Sequence, residues 1–229
     1  MFNRNTPYES RSGATDRIKS SVSASPSMAI IFLCVISFLL EVVLLSAAPG
    51  LGALYMNAFQ FDPGSFLTRP WTLVTYIFLH TGLWHLFFNM LVLYFFGTAL
   101  ERRAGNKQLL AIFFTAGILS AIGYTFLSWP IFNIYPGPMI GASGAIYGVF
   151  AALTVLEPNL RVYVYFVPMR LKHALLLFAI FDFLMASSTN LDMIAHTAHL
   201  SGLFVGLYMG FRMKKMDERY RMTRYIGRW

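Results

Sequence analysis

Hydrophobic positions in this chain come in long blocks separated by short polar or glycine- and proline-containing breaks, and neither the alternation of a half-buried strand nor the stripe of a soluble helix dominates. Six blocks are each about long enough to cross a bilayer as a helix. They run from Met28 to Ala48, Leu83 to Leu100, Leu109 to Leu127, Met139 to Leu156, Leu171 to Ser188 and Met193 to Phe211. The fifth is interrupted by Lys172, His173 and Asp182. Pro49 to Pro70 mixes Gly50, Gly52, Pro63 and Gly64 with large apolar residues, too broken to span, and reads as a structured interfacial loop. Ser46-Ala47-Ala48 resembles a signal-peptidase site, but the apolar core before it is longer than a signal peptide's, so a retained first helix is expected.

Composition makes the pattern a membrane one. Of 229 residues 57% are hydrophobic and only 12% charged, against about a quarter charged in soluble domains. The expectation is an all-α membrane protein of six transmembrane helices, occupying residues 28–212. A disordered basic tail (1–27) precedes it and a basic tail (213–229) follows.

The formal charge of +8 does not point to nucleic acid, because Lys and Arg cluster beside the apolar blocks. With six spans, every basic residue except Arg69 falls on one side, which the positive-inside rule assigns to the cytoplasm together with both termini. Cys34, the single cysteine, sits inside the first block and reads as a small buried hydrophobe.

Candidate chemistry lies in the second, fourth and sixth blocks, which all run inward from the outer surface. Near their starts they carry His85 and Asn89, Ser143, and His196 and His199. At about 1.5 Å per residue these groups share one depth, roughly 10 Å below the outer surface. His85 and Asn89 are four apart and share a helix face, as His196 and His199 roughly do; His80 points elsewhere. Around Ser143 the stretch Gly141 to Gly148 admits two readings: glycines that let helices pack closely, or a serine nucleophile at a helix start. A hydroxyl, two imidazoles and a carboxamide at one depth in hydrocarbon favour chemistry. A neutral histidine can activate the serine, and an Asn amide, a His N–H and backbone N–H groups can stabilise an oxyanion.

Gly141-Ala142-Ser143-Gly144 resembles the GxSG motif of the rhomboid intramembrane serine proteases, His85 to Asn89 their HxxxN, and Ala198-His199-Leu200-Ser201-Gly202 their AHxxG. Trp71 to Tyr76 through His80, and Glu101 to Gly105, also resemble the family's sequences flanking the second helix. The match covers about residues 50–212. The resemblance implies a rhomboid-type six-helix bundle and a Ser143–His199 dyad. It also implies an oxyanion site of His85, Asn89 and the Ser143 N–H, with Tyr147 packed on the histidine. Gly141 and Gly144 are expected to keep space around Ser143, and Gly202, Gly206 and Gly210 to bring the sixth helix against the fourth. Asp182 and Asp192 could complete a triad, but the family works as a dyad, so both are left out.

The expected activity is hydrolysis of peptide bonds in or near the transmembrane segments of membrane-protein substrates, with lipid as surroundings, no cofactor and no metal. The resemblance further implies a mobile fifth helix and a cap at Ser187 to Met193; Phe178, Phe181 and Leu184 are gate candidates by position along that helix, not by motif. The absence of a seventh span suggests a prokaryotic plasma-membrane form with its site opening to the extracytoplasmic side. Two rivals stand beside this reading. One is a non-catalytic relative that binds membrane helices, as derlins do. The other is a metal-dependent enzyme or transporter using His80, His85, His196 and His199.

Overall fold

A computed structural model of the chain describes residues 25–133, 135–164, 166–186 and 196–226. The expected tail at residues 1–24, the expected cap at 187–195 and Asp192 lie outside them. The described residues are mostly helical. Helix α1 (Pro26–Ala47) leads directly into α2 (Pro49–Phe59), and α3 (Thr72–Thr75) follows, extended by a 3₁₀ turn at Tyr76–Phe78. Then come α4 (Leu83–Ala104), α5 (Asn106–Phe132), α6 (Ser143–Leu156), a hairpin of β1 (Arg161–Val164) and β2 (Val167–Arg170), α7 (Leu171–Ala186) and α8 (His196–Ile226). Helices α1, α4 and Asn106–Ser128 of α5 are long and apolar enough to cross a membrane, and α6 is a shorter apolar helix.

Several boundaries differ from the sequence expectation, and the fourth block becomes helical only at Ser143, after Met139 has paired with Phe61. The stretch expected as an interfacial loop begins with the eleven-residue helix α2. Glycines normally weaken a helix, but Gly52 lies where a Cβ would approach the Leu45 backbone to 2.9 Å, so contact with α1 selects both the residue and the helix. The short connection after Glu157 is an antiparallel hairpin pairing Arg161 with Arg170. The last helix does not stop near Phe211: it runs 31 residues to Ile226, because the basic segment is rich in helix-compatible residues and meets no Gly or Pro before Gly227.

Helix α6 is the axis of the fold. All its residues except Ser143 and Tyr147 are buried, and α8, α5 and α4 pack around it. The α6–α8 seam is built of glycines. A Cβ at Gly202 would fall on the Gly144 backbone, and one at Gly206 would lie 2.7 Å from Gly148 Cα. Side chains there would hold the helix axes apart, so the expected close approach of the two helices is present. Large apolar side chains point outward on the surrounding helices, among them Phe32, Phe95, Phe126 and Phe204, as a lipid-facing surface requires. Cys34 is fully buried.

One end of the bundle is tied by charge. Glu101 near the end of α4 accepts from Ser25 Oγ (2.8 Å) and the Ser27 N–H (2.6 Å), satisfying the start of α1. Arg103 pairs with Glu157 beyond α6 (2.7 Å) and with Asp217 of α8 (3.0 Å). Between these ties and His85, α4 contains a π-helical turn at Leu93–Gly97, where Phe96 stacks on Phe150 of α6 at 4.7 Å.

Candidate functional site

Ser143 is the first residue of α6, and the chain reaches it through an extended segment fastened at several points. Phe61 and Met139 exchange backbone bonds (3.1 and 2.8 Å), and the Gly141 N–H donates to the Tyr76 carbonyl (2.9 Å). The Gly137 N–H donates to the Tyr124 hydroxyl (3.1 Å). The first helical bond of α6 is Ile146 N–H to Ala142 C=O. The N–H groups of Ser143, Gly144 and Ala145 therefore have no partner within the helix and point out of its start.

His199, in the first turn of α8, completes the centre. Its Nε2 lies 2.7 Å from Ser143 Oγ. Its ring stacks on Tyr147 with centroids 4.7 Å apart and planes 9° from parallel. Tyr147 is one helical turn after Ser143, so the same helix carries the hydroxyl and the surface on which the imidazole rests. The other nitrogen, Nδ1, lies 3.0 Å from Asp182 Oδ1. That oxygen also meets His196 Nδ1 at 2.6 Å. Asp182 is only 2% exposed.

His85 packs on the approach to Ser143. Gly141 has φ +117°, and a Cβ there would lie 2.7 Å from the His85 ring. This position thus needs glycine both for its backbone and for the imidazole above it. The space at Gly144 is taken by helix packing, with Ser120 and the Ala198 carbonyl beside it. His85 Nδ1 contacts Thr81 Oγ1 at 3.1 Å, and the buried Asn89 donates from Nδ2 to the His85 carbonyl at 2.8 Å. His80 is buried in the α3–α4 connection, with its ring 5.0 Å from His85 and its N–H 3.4 Å from Glu41 of α1.

Two placements depart from the sequence reading. Gly144 is packed by Ser120 and the Ala198 carbonyl instead of keeping space clear around Ser143. Asp182, set aside there, sits against His199. Its depth was the available signal: six residues before the expected end of the fifth block places it about 9 Å below the same surface as the other polar groups. Buried Glu41 was missed because a lone acid in a first apolar block has no spacing partner. Among the described residues the four histidines of the metal reading form no single cluster; the group whose ligand atoms lie within 4.8 Å of one another is Asp182, His196 and His199.

A hydroxyl, an imidazole and a carboxylate stand in line among long apolar helices, and the chain is an integral membrane protein. The match to known proteins is more particular: the family model described as Rhomboid domain covers residues 67–216, and the chain belongs to the rhomboid family. It is 32% identical over 156 residues to the putative rhomboid protease YdcA of Bacillus subtilis (strain 168), covering 66% of this chain and 71% of that one. It is 30% identical over 164 residues to the rhomboid protease GlpG of Salmonella choleraesuis (strain SC-B67), covering 67% and 52%. To the mitochondrial Rhomboid protein 1 of Saccharomyces cerevisiae it is 27% identical over 192 residues, covering 76% and 51%. The chain thus spans about half the length of the last two.

Proposed function

We propose that this protein is an intramembrane serine endopeptidase that cleaves membrane-spanning protein substrates through Ser143 and His199. The observation that carries the reading is the 2.7 Å contact between His199 Nε2 and Ser143 Oγ, made by an imidazole held on Tyr147. In the reaction, Oγ attacks the peptide carbonyl carbon while Nε2 takes the hydroxyl proton. The oxyanion is met by the Ser143 N–H at the start of α6, with His85 and Asn89 beside it. Collapse breaks the C–N bond, and the amine leaves with the proton from His199. Water, deprotonated by His199, then hydrolyses the acyl-enzyme and regenerates the serine. A substrate helix hides its carbonyls in its own hydrogen bonds, so it must unwind locally, and small or helix-breaking residues near the cleaved bond are preferred.

The same reading has residues 28–212 form a six-span domain with both termini cytoplasmic and the site open to the extracytoplasmic side of a prokaryotic plasma membrane. Glu101 capping α1, and Arg103 joining α4, Glu157 and α8, gather the basic flanks at the end away from Ser143, which supports that orientation. The deciding experiment incubates purified protein with a model single-span substrate and compares wild type, Ser143→Ala and His199→Ala. Both variants should lose cleavage and fluorophosphonate labelling; cleavage surviving in Ser143→Ala rejects the serine mechanism.

A further inference from the structure

Helix α7 packs Leu171, Ala174 and Leu175 into the core and turns an apolar face outward, where Leu176, Leu177, Ile180 and Phe181 are all half or more exposed. From this helix one carboxylate turns inward, and it is 2% exposed. Burying a carboxylate among apolar helices is costly unless partners satisfy it. The partners are two imidazole nitrogens on successive turns of α8, His196 Nδ1 at 2.6 Å and His199 Nδ1 at 3.0 Å, both on the one oxygen Oδ1.

A carboxylate oxygen can only accept, so each Nδ1 carries the hydrogen and donates. For His199 this fixes the tautomer: with the proton on Nδ1, Nε2 presents its lone pair toward Ser143 Oγ, 2.7 Å away. Stacking on Tyr147 restrains tilt of the ring but leaves it free to turn in its own plane, and the Asp182 bond removes that freedom. When Nε2 takes the serine proton, the resulting imidazolium faces a carboxylate instead of hydrocarbon.

We propose that Asp182 is a positioning residue of this centre, so that the site operates as a Ser143–His199–Asp182 triad rather than a dyad, with His196 clamping the carboxylate. The proposal rests on the serine-protease reading. It also joins α7 to catalysis: an excursion of this helix that withdraws Asp182 releases the base from its orientation.

The test uses the full-length purified protein, a single-span substrate, and the variants Ser143→Ala, Asp182→Asn and Asp182→Glu. Asp182→Asn should lower kcat by about 10²-fold or more, the scale of a lost general base, with KM unchanged. Fluorophosphonate labelling of Ser143 should slow in parallel, and the unfolding midpoint should stay near that of wild type. Asp182→Glu, which keeps the carboxylate, should recover part of kcat. Wild-type kcat in Asp182→Asn overturns the proposal. So does an equal loss in both Asp182 variants accompanied by a raised KM and a lowered midpoint, which marks a packing role. A measurement on the unmutated protein stands beside these: ¹⁵N spectra of labelled histidine at neutral pH should show His199 protonated at Nδ1 and bare at Nε2, and the opposite tautomer overturns the proposal. If Ser143→Ala still cleaves, the serine-protease reading itself fails; if it is inactive while Asp182→Asn is fully active, only the role of Asp182 fails.

Discussion

Replacing Gly202 by alanine tests whether the distance between α6 and α8 sets catalytic competence. Gly202 follows His199 by three residues, and the backbone it faces is that of Gly144, next to Ser143. A Cβ at 202 would lie 2.9 Å from the Gly144 carbonyl carbon and 2.7 Å from Ser120 Oγ, and closer still to the Gly144 oxygen. Ser120 can rotate away; the α6 backbone cannot. Ordinary contact begins near 3.4 Å and the Gly144 oxygen is the closest atom, so the helices must part by about 1 Å or more at this level. Carried to the adjacent turn, that movement stretches the 2.7 Å bond between Ser143 and His199 toward the limit of hydrogen bonding. Misplacement on this scale costs up to about 10²-fold in rate, or about 2.7 kcal/mol, and overpacking adds about 1 to 3 kcal/mol of destabilisation. Initial cleavage rates on a single-span substrate, read with fluorophosphonate labelling and thermal unfolding in the same detergent, separate the two effects. Adding Ser120→Ala should not rescue Gly202→Ala, because the backbone clash remains. Full activity in Gly202→Ala, or full rescue by Ser120→Ala, would refute the reasoning.

Other residues carry smaller, separable effects. Tyr147→Phe keeps the stack and should stay within a few-fold of wild type, whereas Tyr147→Ala should lose about 10-fold in kcat, in line with about 0.5 to 1.5 kcal/mol for a stacked pair. Gly141→Ala places a side chain at φ +117° and against His85, and should lower the unfolding midpoint and the cleavage rate together. Arg103→Met removes pairs to Glu157 and Asp217, all partly exposed, and should lower stability by about 1 kcal/mol or less while kcat on the same substrate is unchanged.

What the sequence made legible was whatever hydrocarbon penalises. Long apolar blocks announced the helices, and polar residues inside them announced a centre, because both are costly to place otherwise. Ser143 and His199, expected at one depth, stand in contact, and Tyr147, which the resemblance implies against the histidine, is stacked on it. Asp182 is legible by the same argument, since it lies about 9 Å below the surface at which the fifth block ends, although the family's dyad pattern assigns it no part. Elements outside the apolar blocks were harder to read. Helix α2 depends on Gly52 meeting Leu45, and the hairpin at Arg161–Arg170 on pairing between two four-residue strands; neither interaction leaves a periodic trace. The end of α8 was misplaced because the apolar block stops well before the helix does.

The π-helical turn at Leu93–Gly97 bears on how this chain can change over evolutionary time. It sits between His85, whose ring lies over Gly141, and Glu101 and Arg103, which fasten the opposite end. Loss of one residue there would restore regular winding and rotate one half of α4 against the other by about 100°. Either the imidazole over Gly141 or the anchor to α1 would then face lipid. The length of α4 between Asn89 and Glu101 is thereby constrained, and an insertion or deletion there can survive only if a second one restores the phase.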